Sequence, residues 1–299
     1  MIYGAIDIGT NAARLLIGQV TKNNGHSYVK KISYTRIPLR LGLEVFEDGI
    51  ISLKKEKEFV KTMQAFKLIA EVFDVAGLRC CATSAMREAK NGKEIKEHIE
   101  KEVGVKIEII GGKEEADIIF STFFLLNIDK DSPFIVIDVG GGSTEISVFE
   151  DGQKVAGKSF RVGTIRMMKH KESKQIWKSM KKWIADHVDG SVQHKVFATG
   201  GNINKVHKLL GKQHMEPIKY RELDELHDKL AALDVDQRAE KYQLKPDRAD
   251  VIVPACEIYL YAMTCLKSTE MFVPKIGLSD GIIHQLHANA EKNKAKKGS

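Results

Sequence analysis

Ile137-Asp138-Val139-Gly140-Gly141-Gly142-Ser143-Thr144-Glu145 decides how this chain is read. A β-branched apolar run closes on an aspartate, three glycines turn the backbone, and a second apolar run, Ile146-Ser147-Val148, leads away. The arrangement occurs a second time at the start, where Ala5-Ile6-Asp7-Ile8-Gly9-Thr10-Asn11 precedes Leu15-Leu16-Ile17. Both copies predict strand, tight turn, strand. An aspartate closing a strand beside a turn of backbone N–H groups holds hydrated Mg²⁺ while the amides hold phosphoryl oxygens, because glycine lets the backbone approach without a Cβ in the way. The duplication predicts two related halves that handle phosphate.

The spacing of Asp7 and Asp138 also predicts the division of the chain. The break is expected in the polar, proline-ended stretch Asn127-Ile128-Asp129-Lys130-Asp131-Ser132-Pro133, giving domains at 1–127 and 128–290 and a disordered basic tail at 291–299. That tail sets four lysines against Glu291 within a net charge of +7. No apolar run is read as long enough to cross a bilayer, and Met1-Ile2-Tyr3-Gly4 enters a strand without a basic leader, so a cytoplasmic protein with no membrane partner is expected. Cys80, Cys81, Cys256 and Cys265 lack metal-type spacing and are expected to be buried reduced thiols. His284 and His287 share a helix face but have no carboxylate between them, which argues against zinc.

Between the two turns, helices are predicted from about Ser52 to Asp74 and Gly92 to Val103, strands at Leu78–Ala82 and Lys106–Ile110, and a further helix after Gly111-Gly112. This alternation argues an α/β fold. Arg87 follows a strand, where a guanidinium forks phosphate oxygens or serves as a surface residue at a helix start. At 100° per residue Glu115 shares its face with Ile118, Ile119, Thr122 and Leu126, whereas Glu114 points with Asp117 and Ser121. Glu115 is thus the carboxylate aimed at the apolar side, where desolvation would suit it to accept a proton from water. Glu145, opening a return strand, is an odd choice if only packing matters. A third glycine element, Thr199-Gly200-Gly201-Asn202, opens a helix and adds an anion contact. Lys174, Lys178, Lys181 and Lys182 line one side of a helix, as a solvated face or as a track for a polyanion. No base-stacking aromatics interleave with them, so no specific nucleic-acid partner is expected.

Taken together, Asp7 to Asn11, Thr83 to Arg87, Gly112 to Ala116, Asp138 to Glu145, Arg161 to Arg166, Thr199 to Gly201, Arg248-Ala249-Asp250 and Leu278 to Gly281 resemble the exopolyphosphatase and guanosine pentaphosphate phosphohydrolase (Ppx/GppA) family. That family lies within the superfamily of actin, sugar kinases and the large heat-shock ATPases. The resemblance implies two ribonuclease-H-like domains with the site in the cleft between them, and Mg²⁺ as the ion. It makes Glu115 the base, Asp138 and Glu145 the acidic partners of metal or water, and Arg87 the clamp on the terminal phosphoryl group. Asp7 joins the metal ligands. Gly9, Thr10, Asn11, Arg14, the Gly140, Gly141, Gly142, Ser143 and Thr144 turn, Arg166, and Gly200, Gly201 and Asn202 are the expected phosphate contacts.

Two departures accompany it. Longer relatives carry a C-terminal helical domain, so shorter polyphosphates are the expected substrate here, and Asn202 stands where relatives commonly have Thr or Ser. The expected activity is Mg²⁺-dependent release of orthophosphate from inorganic polyphosphate by a homodimer. The alternatives are hydrolysis of guanosine pentaphosphate, an ATP-dependent small-molecule kinase, and an actin-like filament or non-catalytic alarmone sensor.

Overall fold

The computed structural model describes residues 1–23, 26–123, 132–170 and 173–297. It divides into two compact units, one comprising Met1–Ile128 with Ile276–Ser299 and the other Asp129–Lys275. The break expected at Asn127–Pro133 falls mostly at 124–131, outside the described residues.

In the first unit the chain runs β1 (Tyr3–Ile8), β2 (Ala13–Asn23), β3 (His26–Ile37), α1 (Leu41–Asp48), α2 (Leu53–Val72), β4 (Leu78–Ala82), α3 (Ser84–Glu88), α4 (Gly92–Val103), β5 (Ile107–Ile109) and α5 (Gly112–Ser121). The second unit holds β6 (Phe134–Val139), β7 (Thr144–Glu150), β8 (Gln153–Phe160), α6 (Thr164–Met168), α7 (Lys174–His187), β9 (Lys195–Thr199), α8 (Gly201–Leu209) and β10 (Ile218–Lys219). It continues through α9 (Tyr220–Ala231), α10 (Val235–Lys241), α11 (Pro246–Ala249), α12 (Ile252–Leu266) and β11 (Glu270–Met271). A last helix, α13 (Leu278–Lys297), belongs to the first unit.

The first sheet has the order β3-β2-β1-β4-β5, with β1 antiparallel to β2 and parallel to β4. The second has the order β8-β7-β6-β9, with β6 antiparallel to β7 and parallel to β9. A parallel bridge from Phe197 to Phe272 occupies the place of a fifth strand. This is one topology used twice, the expected ribonuclease-H-like arrangement of the actin-like ATPases. β1 and β6 are central in their sheets, so both faces are covered and their sequences read as near-continuous apolar runs. Ser52 caps α2, its hydroxyl accepting from the Lys55 N–H at 3.2 Å, and Phe59, Met63 and Phe66 form the buried stripe of that helix.

Three expectations change. The segment at 276–290 was assigned to the second domain, but α13 packs on β1, β2 and α5 of the first. Its contacts explain why: Lys31 on β3 pairs with Asp280 at 2.9 Å, and Arg79 on β4 donates to Gln285 at 2.6 Å. The tail expected to be disordered continues α13 as far as Lys297. Pro246–Leu266 does have the length and hydropathy to cross a bilayer, yet 61% of its most apolar window is buried inside the protein. Ile252, Ala255, Cys256, Ile258, Tyr259 and Met263 of that stretch belong to the second unit's core, which accounts for its apolarity.

Three of the four thiols, Cys80, Cys81 and Cys256, are buried as expected, and Cys265 is half-buried. All four are free, and burial pushes Cys81 and Cys256 up to about 12, far from a reactive thiolate. On α7, Lys174, Lys178, Lys181 and Lys182 are exposed while Met180, Trp183 and Ile184 are buried.

Candidate functional site

In the first unit the parallel strands β1, β4 and β5 end together. The Thr83 N–H donates to the Ile8 carbonyl and the Ile110 N–H to the Ala82 carbonyl, each at 3.0 Å, so the loops after the three strands form one row. Carboxyl ends of parallel strands are where α/β proteins present ligand groups. Asp7 stands there, opposite Arg14 in register, and its Oδ2 accepts from Arg14 Nη1 at 2.6 Å. The Gly9–Ala12 turn is tied down from outside: Arg40 N–H donates to the Asn11 carbonyl and Gly42 N–H to the Thr10 carbonyl, both at 3.0 Å.

Arg87 and Glu115 are both tied to the loop that follows β5. Arg87 Nη1 donates to the Ile110 carbonyl at 2.6 Å, which fixes the guanidinium beside the loop that opens α5. Arg87 is half-buried. Glu115 closes the first turn of α5, its N–H donating to the Gly111 carbonyl at 2.9 Å. The helical-wheel separation holds: Glu115 is half-buried, whereas Glu114 is exposed and pairs with Arg79 at 3.3 Å.

In the second unit the register of β6 and β7 sets Asp138 directly opposite Glu145, with carboxylate oxygens within 4.8 Å of one another. Like charges facing each other across an antiparallel pair are destabilising. Each is held by a hydroxyl: Thr199 Oγ1 donates to Asp138 Oδ1 at 2.5 Å, and Ser159 Oγ donates to Glu145 Oε1 at 2.7 Å. Glu145 is buried, and an all-oxygen pair of this kind fits a hard divalent cation such as Mg²⁺.

The glycine turn between them is braced from behind. Gly140 N–H donates to the Ser143 carbonyl at 2.9 Å, and the N–H groups of Thr164 and Ile165 donate to the Gly140 and Gly141 carbonyls at 3.0 and 2.8 Å. Arg166 is buried and its Nε donates to the Gly142 carbonyl at 2.9 Å, so it supports the turn. The Thr144 hydroxyl is likewise spent internally, on the Val162 carbonyl at 2.7 Å. A Cβ on Gly163 would lie 2.6 Å from Gly141 and Gly142 backbone atoms, so α6 approaches the turn as closely as only glycine allows. Gly200 (φ 119°) and Gly201 then open α8. The Asn202 side chain is buried, its Oδ1 accepting from Arg248 Nη1 at 2.6 Å.

The motifs at Thr199 and Arg248 carried no role for those two side chains, and Ser159 and Tyr259 lay outside every motif. The Tyr259 hydroxyl, wholly buried on α12, donates to the Thr199 carbonyl and so supports the residue that holds Asp138. A tyrosine on the buried side of a largely apolar helix was the available signal, since a buried hydroxyl needs a partner.

The sequence model described as the Ppx/GppA phosphatase family matches residues 19–290. The chain belongs to the Ppx/GppA phosphatase family. Among curated Ppx/GppA relatives, exopolyphosphatase 1 of Mycobacterium tuberculosis is 28% identical over 167 residues, 56% of this chain and 48% of that protein. A bifunctional 3-dehydroquinate synthase/phosphatase of Fusobacterium nucleatum is 32% identical over 175 residues, 56% of this chain and 26% of that protein. The chain thus spans about half or less of the length of these relatives. The crystal structure of an exopolyphosphatase from Cytophaga hutchinsonii superposes with a TM-score of 0.80 at 20% identity, covering 96% of this chain and 97% of that one. That likeness shows the Ppx/GppA fold over nearly the full chain.

Proposed function

We propose that this protein is a Mg²⁺-dependent exopolyphosphatase that releases orthophosphate from the end of inorganic polyphosphate. The observation that carries the reading is the facing pair Asp138 and Glu145 at the mouth of a braced glycine turn, in a chain of the Ppx/GppA family. In this reading the Gly9 and Gly140 N–H groups close their own turns on the Ala12 and Ser143 carbonyls, the backbone N–H groups of the residues that follow, at Thr10–Asn11 and Gly141–Ser143, receive phosphoryl oxygens, and Arg87 clamps the terminal group. Asp7, Asp138 and Glu145 hold the cation, which supplies charge neutralisation at the scissile anhydride. Glu115 takes a proton from water as its oxygen bonds to the terminal phosphorus, the P–O–P bond breaks, and the proton is returned to solvent after orthophosphate departs. A cytoplasmic homodimer belongs to the same proposal; size-exclusion chromatography with light scattering tests the dimer.

Phosphate release with Mg²⁺, from short polyphosphate, long polyphosphate, guanosine pentaphosphate and ATP at equal terminal-phosphate concentration, tests the activity. Polyphosphate, short chains above all, is expected to be the fastest substrate. Preference for guanosine pentaphosphate would move the protein to alarmone hydrolysis, and phosphate transfer to an acceptor without free phosphate would make it a kinase.

Replacing Thr199 by valine keeps the shape and removes the donor to Asp138. Metal-site partners of this kind are worth about 10- to 100-fold in metal affinity or activity. A Mg²⁺ titration of Thr199→Val should show that loss; an unaltered curve would leave the hydroxyl without a role in positioning Asp138.

A further inference from the structure

The parallel ladder between β6 and β9 ends at the pair Asp138 and Thr199. Beyond that pair Val139 leads into the Gly140 turn, and Thr199 into Gly200 and α8. Backbone groups that leave a ladder inside a protein need new partners. The buried Tyr259 hydroxyl supplies them: it donates to the Thr199 carbonyl, and a second hydrogen bond joins it to the Val139 backbone. A Cβ on Gly200 would lie 2.8 Å from the Val139 carbonyl oxygen and 3.3 Å from the Tyr259 hydroxyl, so these groups converge where the two strands part.

A buried phenol needs an acceptor, and any carbonyl in the core would serve that need. The partners here are the residue that follows Asp138 and the residue whose hydroxyl holds Asp138 at 2.5 Å. Asp138 is therefore tied to Tyr259 by two routes, one through the backbone of its neighbour and one through the Thr199 side chain. Burial, and after it the Asp138 charge, keep the Tyr259 hydroxyl well above the ordinary tyrosine range, so it remains a donor. Asp138 faces Glu145 across the antiparallel pair, and a carboxylate free to rotate would turn away from that like charge.

We propose that Tyr259 is a positioning residue for Asp138: its hydroxyl locks the ends of β6 and β9 together and so sets the affinity of the acidic pair for a divalent cation. Its role in turnover rests on the hydrolase reading; its role in cation binding does not.

The test is Tyr259→Phe, which removes the hydroxyl and keeps the ring, beside Tyr261→Phe as the control. Tyr261 lies on the same helix, and its hydroxyl donates to the Trp177 carbonyl of α7 at 2.8 Å. Each variant loses one hydrogen bond to a backbone carbonyl, and both should unfold at a lower temperature than wild type. Only Tyr259→Phe should weaken Mn²⁺ binding, read as free ion by electron paramagnetic resonance, by about tenfold or more, the size of effect that follows loss of a metal ligand's partner. In Thr199→Val with Tyr259→Phe the loss should be smaller than the product of the two single losses, because both act on Asp138. In turnover Tyr259→Phe should need about tenfold more Mg²⁺ and regain kcat to within about twofold at saturation, which a general loss of structure would not allow. If no substrate is hydrolysed, the Mn²⁺ shift still upholds the positioning role while the hydrolase reading fails. Mn²⁺ affinity that is unchanged in Tyr259→Phe, lowered equally in Tyr261→Phe, or absent in the wild-type protein overturns the proposal.

Discussion

Glu115→Gln is expected to lower phosphate release by about 10²- to 10⁴-fold, the range that one general base contributes, while leaving substrate affinity nearly intact. The amide keeps the size and the rotamers of the carboxylate but does not accept a proton from water. The backbone should be indifferent to the change, because Glu115 is held in α5 through its N–H and the Gly111 carbonyl at 2.9 Å, a contact that Gln preserves. Glu114→Gln is the matched control. It lies on the exposed side, where its pair with Arg79 is a surface contact worth about 0–1 kcal/mol. Single-turnover kinetics on both variants decides the matter: equal rates for the two would remove Glu115 from the chemistry.

Gly281→Ala should damage activity more than a change of one methyl group suggests. A Cβ at this position would stand 2.2 Å from the Ile118 carbonyl oxygen and 2.8 Å from its carbonyl carbon. Both are backbone atoms of α5, so no side chain can swing aside and the helices must part. Overpacking of this kind costs about 1–3 kcal/mol. Ile118 lies three residues after Glu115 in that helix, so the displacement reaches the carboxylate, and misplacing a catalytic group by ~1 Å costs about 10²-fold in rate. Thermal unfolding together with kcat measures the two effects separately. Retention of wild-type kcat would mean that α5 yields at Ile118 without moving its first turn.

What the residues disclosed in advance, and what they hid, follows from the range of the interactions. The turn at Asp138 to Glu145 was legible because glycine, the β-branched flanks and the out-of-place glutamate are all local signals. Glu115 separated from Glu114 for the same reason, through helical periodicity over a single turn. The roles of Thr199 and Ser159 as donors were hidden because only sheet register joins them to their carboxylates; Thr199 lies 61 positions from Asp138. β3 was not among the strands predicted. It is an edge strand interrupted by a register shift at Ile17 and Gly18 of its partner, and it leaves Tyr28, Ile32 and Tyr34 partly exposed, so the alternation expected of a half-buried strand is broken. The destination of α13 was hidden as well, since periodicity tells that a helix has a face to cover and not which sheet covers it.

That destination sets an order on the birth of the molecule. Ribosomes add about 5–20 residues per second, so on the order of ten seconds passes between completion of α5 and emergence of α13, while the whole of Asp129–Lys275 is made. During that interval Gly18, Arg79 and the backbone of Ile118 lack the neighbours Ile283, Gln285 and Gly281 that later cover them. The second unit, continuous in the chain, is free to fold as it leaves the ribosome; the first, although synthesised earlier, stays open to chaperones until α13 arrives.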